Sequence, residues 1–233
     1  MLRSLRYSII TSFSIFILLL LIHCDTVNDP EPVDPDEQIN AFTHVNLLRM
    51  SGEVIDTDQT VIIEGTRIVE FGPSQSVDIP QDLKVLDCQG AYLMPGLADM
   101  HMHTKEEWLE GDWPVSPLNL YLANGVTTVR DFGPRGDDLT YVLHWRDEIN
   151  DGTRTGPTIY TSGLRPGHPS VGNQNPQSIV LWNIAQGFDF LKIYSYISPG
   201  DYHTVMTTAK QSGMYTAGHI PYSIGLEGVV NEG

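Results

Sequence analysis

The run Leu93-Met-Pro-Gly-Leu-Ala-Asp-Met-His-Met-His103 ends in two imidazoles, His101 and His103, at the close of an apolar stretch. Side chains at i and i+2 of a strand share a face. Both rings can therefore aim at one point, and two neutral imidazoles so aimed are half of a catalytic metal site. Taken alone, the pair fits equally two unrelated histidines near a strand end. Two more chemistry-bearing residues sit in later apolar runs: Lys192 in Phe188-Asp-Phe-Leu-Lys-Ile-Tyr194, and His219 in Tyr215-Thr-Ala-Gly-His-Ile220. A lysine inside an apolar strand is costly unless its charge is neutralised or paired. The alternative for Lys192 is an ammonium that reaches solvent at the strand end.

Weaker candidates surround these four. Asp131 ends Thr127-Thr-Val-Arg-Asp131, where a mouth-facing role competes with packing or a surface role beside Arg130. His168, in Arg165-Pro-Gly-His-Pro169, lies on a loop and reads as a substrate contact or a solvated loop histidine. Tyr194 follows Lys192 by two residues and shares its face, lining a pocket or packing in the core. His44, His144 and His203 are read as surface or packing residues.

The elements that must position these groups recur regularly. Apolar, β-rich runs at 97–103, 126–132, 158–162, 188–194 and 214–220 are spaced by roughly 26 to 32 residues, one strand plus one helix and its loops. Residues 137–150 carry Leu139, Val142, Leu143 and Ile149 at helical spacing. Ser198-Pro-Gly-Asp201 supplies an N-cap, a proline at N1 and an acid in the first turn. Gly125, Gly152, Gly187 and Gly213 each close an expected helix just before the next strand. Repeats of this kind argue for parallel β/α architecture. A closed eight-stranded (β/α)8 barrel is favoured over an open doubly wound sheet, because no glycine-rich phosphate loop follows the first strand. Before the repeats, residues 41–92 read as a small β lobe, part of a sandwich, with strands expected at 41–48, 59–64, 67–71 and 84–88.

The amino terminus has a different character. Arg3 and Arg6 precede an uncharged apolar stretch from Tyr7 to Ile22, the layout of a signal peptide over residues 1–23. Leu21-Ile-His-Cys24 resembles a lipobox whose cysteine becomes the lipidated first residue, although His23 stands where a small residue is usual. Residues 24–40 are rich in Asp, Glu and Pro and read as a solvated linker. The chain is thus expected to be exported and held at a cell membrane, facing the periplasm or exterior, by lipid on Cys24. Removing Arg3 and Arg6 takes the formal charge of the 233-residue chain from −16 to −18. A body so acidic has no electrostatic reason to bind nucleic acid. With Cys24 lipidated, Cys88 would be a lone thiol, so a disulfide framework is not expected.

Pro95-Gly-Leu-Ala-Asp-Met-His-Met-His103, Lys192 and Ala217-Gly-His219 together resemble the metal-dependent amidohydrolase superfamily, in particular the branch related to imidazolonepropionase and prolidase-like dipeptidases. The resemblance covers the chain from Ala41 onward and includes the β lobe. It implies that His101 and His103 ligate the more buried of two divalent metal ions, with zinc the first choice. It further implies that Lys192 is N-carboxylated and bridges the ions, and that His219 ligates the second. Asp99, on the face of the two histidines, would orient the site; a structural carboxylate at the base of the strand is the alternative. The implied reaction is attack by metal-activated hydroxide on an amide, peptide or cyclic amide C–N bond.

The family also uses a histidine on the sixth strand and an aspartate on the eighth, and neither position occurs in these 233 residues. About five β/α units are present of the eight a barrel needs. The expectation is therefore the amino-terminal part of a longer hydrolase acting on a small amide or dipeptide, with a homo-oligomer left open. The competing reading is a non-catalytic, membrane-tethered binding lipoprotein.

Overall fold

The computed structural model describes residues 39–108 and 116–232. The expected signal segment, Cys24 and the linker up to residue 38 lie outside the described residues. The chain divides into two compact units between Met94 and Pro95.

The first unit is one mixed sheet. Strands β1 (Ala41–Leu48), β2 (Ile55–Glu64) and β3 (Arg67–Pro73) form an antiparallel meander. On the other edge of β1, β4 (Val85–Asp87) and then β5 (Tyr92–Leu93) pair with it in parallel. The two short strands act as one strand broken at Cys88 to Gly90. Alternation along β1 buries Val45 and Leu47 against Val61, while His44 sits at a bulge with φ 53°. The expected small β lobe is a single five-stranded sheet, in which the returning segments add to the edge of β1.

The second unit alternates strands and helices. Strands β6 (Leu97–Met102), β7 (Val126–Asp131) and β8 (Thr158–Thr161) form a parallel sheet. Strands β9 (Leu191–Ile193) and β10 (Thr216–Gly218) form a second parallel pair. Between them run α1 (Pro117–Ala123), α2 (Tyr141–Asn150), α3 (Pro176–Gln186) and α4 (Pro199–Gln211), and α5 (Gly225–Glu232) follows β10. As expected for about five of the eight units of a barrel, the strands do not close on themselves and stand as two open parallel sheets. A side chain spans the gap between them, since Lys192 N–H donates to Ser162 Oγ at 2.9 Å, and Asp189 N–H donates to the Thr161 carbonyl at 2.9 Å.

Local chemistry explains the helix limits. Asn175 caps α3 by accepting from Ser178 N–H, Pro176 follows it, and Gly187 ends the helix in the left-handed region at φ 86°. Ser198 caps α4 through Asp201 N–H. Helix α2 begins at Tyr141 and not at residue 137, because Asp138 Oδ1 accepts from both the backbone N–H and the hydroxyl of Thr140 and holds a turn there. Tyr141, Val142, Leu143 and Trp145 of α2 pack on Val129 and Ile159 of β7 and β8. A second core joins Leu191 and Ile193 of β9 to Tyr202, Val205 and Met206 of α4. These cores clamp the strands from their helical side and leave the other side chains of β6 and β9 to build a site.

Candidate metal centre

Strand β6 sorts its side chains by parity. Met102 is buried in the core with α2, and His101 and His103 face the other way, their ring centroids 5.5 Å apart. His103 Nδ1 lies 2.9 Å from the Gly133 carbonyl oxygen. A carbonyl can only accept, so Nδ1 carries the proton and Nε2 keeps its lone pair, the form a metal ligand needs.

Gly133 is itself held. Its N–H donates to Asp131 Oδ1 at 3.0 Å, and the other carboxylate oxygen accepts from Thr104 Oγ1 at 2.5 Å. Tyr141 OH donates to the same hydroxyl at 2.9 Å. Asp131 is fully buried, and burial raises its carboxyl to about 7 against the pull of these hydrogen bonds. Asp131 thus belongs to the support behind His103, which decides between the two readings its sequence left open. Asp99 Oδ1 accepts from the backbone N–H of His101 at 3.0 Å, and its charge opposes the downward shift of the His101 ring.

Lys192, on β9, is 1% exposed, which overturns the alternative of an ammonium reaching solvent. Its Nζ stands 4.3 Å from the centroid of Phe132, the ring that also lies 4.4 Å from His101. Among the described residues no carboxylate is within ion-pair distance of Nζ. Burial, then Arg165 and Arg130, bring the ammonium down to about 8. At neutral pH roughly a tenth of such a lysine is a neutral amine.

His219 follows β10. Its N–H donates to the Ile193 carbonyl at 3.0 Å, and its Nδ1 pairs with Ser195 Oγ at 2.8 Å. Gly218 permits this approach: at φ 149°, a Cβ there would overlap the Ile193 carbonyl oxygen. His219 is shifted down by burial, Lys192 and His103, and His101 by burial, Lys192 and His219. His103 is also shifted down, with burial the largest cause. All three rings are consequently neutral at physiological pH, with lone pairs available to a cation.

The donor set fits divalent metal in its chemistry. Three neutral imidazoles share one neighbourhood with a buried amine that lacks a counter-charge, and carboxylation would convert that amine into an anionic oxygen ligand. Among the described residues no group of three His, Cys, Asp or Glu side chains is close enough to hold an ion.

His168 and Tyr194 also come together, their rings 4.6 Å apart edge to face. They line a cleft of about 600 Å³ with His103, Arg135 and Arg165. The two arginines escaped the sequence reading. Arg165 stands three residues before His168 on the same loop, and that proximity was the signal available.

No protein-family model matches the sequence. The dihydroorotase of Wolbachia sp. subsp. Brugia malayi (strain TRS) is 35% identical over 78 residues, 32% of this chain and 18% of that protein. The adenine deaminase of Mesorhizobium japonicum is 48% identical over 56 residues, 24% of this chain and 9% of that protein. A putative prolidase structure from Bifidobacterium longum superposes with TM-score 0.66 at 24% identity, covering 83% of this chain and 51% of the other. The chain has amidohydrolase-superfamily homology. Its fold is that of about half an amidohydrolase α/β barrel protein, and the stretches matched in the curated amidohydrolases are about a fifth of their length or less.

Proposed function

We propose that this chain carries the first-, fourth- and fifth-strand part of a metal-dependent amidohydrolase that cleaves C–N bonds in small amides. Prolidase-like hydrolysis of dipeptides is the first activity to test and cyclic amides the second. The observation that carries the reading is Lys192, fully buried beside His101 and Phe132 with its ammonium held down to about 8.

In this reading His101, His103, His219 and an N-carboxylated Lys192 would hold divalent metal. Bound divalent metal, zinc first among the candidates, would polarise the scissile carbonyl and acidify a water molecule. The chain's own residues do the remaining work visible here. The Gly133 carbonyl fixes the His103 tautomer, and Ser195 and the Ile193 carbonyl hold His219. Phe132 packs against the Lys192 amine, whose neutral form would take up carbon dioxide as a carbamate and release a proton to solvent. Exported, the protein would be tethered through lipid on Cys24, a placement supported by Arg3, Arg6 and the uncharged stretch before the cysteine.

The experiment is to purify the full-length protein, measure metal by elemental analysis, and screen Xaa-Pro dipeptides and cyclic amides. A 13C spectrum after incubation with labelled bicarbonate should show a carbamate resonance that vanishes in Lys192→Ala. A protein that binds no divalent metal and shows no carbamate would support the non-catalytic binding protein instead. Mass spectrometry of the mature amino terminus tests the anchor: an unmodified Cys24 still joined to the upstream residues would refute it.

A further inference from the structure

The seam between β8 and β9 uses side chains where a regular strand pair would use its backbone. Toward β8, three N–H groups of β9 and its flanks find acceptors. Asp189 N–H donates to the Thr161 carbonyl at 2.9 Å, Lys192 N–H to Ser162 Oγ at 2.9 Å, and Tyr194 N–H to the Pro166 carbonyl at 2.8 Å. Alternate residues of a strand face the same neighbour, so 192 and 194 are in phase and 189 is out of step by one. Just past that break, the acceptor for Lys192 is a hydroxyl instead of a carbonyl.

That hydroxyl is itself held in place. Ser162 is fully buried, and its own N–H donates to the Asp131 carbonyl of β7 at 3.1 Å. The next residue, Gly163, donates its N–H to Asn183 Oδ1 at 2.9 Å. Asn183, a fully buried residue of α3, spends its Nδ2 on the carbonyls of Leu164 at 3.0 Å and Ile179 at 2.9 Å. On the other side, Thr161 N–H donates to Asp189 Oδ2 at 2.8 Å. A Cβ on Gly163 would overlap the Phe188 ring, so this segment lies tight on the start of β9. Thr161 Oγ1, one residue earlier and equally buried, has no partner among the described residues; the hydroxyl at 162 is the one that crosses the seam.

We infer that Ser162 is a positioning residue for Lys192: by accepting from its backbone N–H, it fixes the register at which the amine meets Phe132, the shared neighbour of His101. A buried N–H without an acceptor is costly, so β9 is held where Lys192 reaches the hydroxyl. The stakes are set by strand parity. A slip of one residue would turn Lys192 to the opposite face, where Leu191 and Ile193 pack in the core against α4. That the lysine then binds metal rests on the hydrolase reading; its placement by Ser162 does not.

A spectroscopic readout separates the two ideas. The sequence has four lysines, Lys84, Lys105, Lys192 and Lys210, and Lys192 is the buried one. In full-length protein labelled with 13C at lysine Cε, the ring current of Phe132 should displace one Cε proton signal upfield, and that signal should vanish in Lys192→Met. Ser162→Ala should lose most of the displacement while the protein still melts cooperatively. Ser162→Cys, whose sulfur is a weaker acceptor at the same place, should fall between, and Thr161→Val should leave the signal where it is. A wild type with no displaced signal, or a folded Ser162→Ala with the signal unmoved, would overturn the proposal. So would an equal loss in Thr161→Val. If Ser162→Ala does not fold, Ser162→Cys decides, and an unmoved signal there is the overturning result. After incubation with labelled bicarbonate, the carbamate resonance should fall on the order of fivefold in Ser162→Ala, in keeping with one lost hydrogen bond. An undiminished carbamate would overturn the positioning role and keep the hydrolase reading. A displacement that depends on Ser162, in a protein that forms no carbamate and binds no metal, would keep the role and sink that reading.

Discussion

The Lys192 ammonium lies 4.3 Å from the centroid of the Phe132 ring, and the His101 ring is 4.4 Å from the same phenyl. Phe132 is therefore a shared neighbour of the buried cation and of one of the imidazoles it would join in binding metal. The ring's π-face offsets part of the charge, and the absence of any carboxylate partner among the described residues leaves the rest uncompensated.

Lys192→Met should make the metal-free protein more stable, by about 1 to 2 kcal/mol, because it replaces an uncompensated buried charge with an apolar chain of similar length. The folded pKa of about 8 lies below the ordinary 10.5. The unfolded state therefore binds more protons between these values, and the wild type gains stability as pH rises through that window. Thermal melts of both proteins at pH 7 and pH 10 check this: the advantage of the variant should shrink at pH 10. An unchanged difference would mean that the lysine is not held unfavourably.

Asp131 behaves in the opposite sense. Its folded carboxyl titrates at about 7 against an ordinary 3.8, so between these values the folded state holds the extra proton. Stability from this group is present below pH 4 and is lost as pH rises toward 7, at no more than about 1.4 kcal/mol per pH unit. Asp131→Asn should flatten that dependence. Melting temperatures of the two proteins between pH 4.5 and 7.5 provide the measurement, and parallel curves would contradict a protonated Asp131.

Gly218→Ala should cost about 2 kcal/mol or more, since the new Cβ meets the Ile193 carbonyl and φ is 149°. The strain falls where His219 N–H bonds the same carbonyl. Metal stoichiometry in the full-length variant should accordingly drop by the ion that His219 serves. A variant that melts normally and binds metal normally would show that β10 can shift without consequence.

Gly133→Ala combines a positive φ of 113° with a clash against the Arg165 stem. It should loosen both the Gly133 carbonyl that fixes His103 and the arginine itself. Imidazole 15N shifts of His103 in the metal-free protein are the direct readout: the Nδ1–H tautomer should lose population. Retention of a single Nδ1–H form would show that some other group sets the tautomer.

The sequence by itself determined which residues could meet. The i and i+2 spacing of His101 and His103 sets one face, and burial of Met102 between them follows from the same alternation. A lysine amid Phe190, Leu191 and Ile193 marked itself by its cost. Residues 198–201 carried their helix start in short-range chemistry. All of these are local effects, read within a few residues. What only the tertiary structure decided spans 30 residues or more. The pairing of β4 and β5 with the edge of β1 is one such feature, because edge addition is a choice between distant segments. The strands of the second unit stand in two open sheets bridged by Ser162. Asp131 and Gly133 became a support for His103, and Arg165 a wall of its cleft, only when the loops after β7 and β8 met beside it. Loops carry no periodicity, so their meeting is set by packing of the cores beneath them.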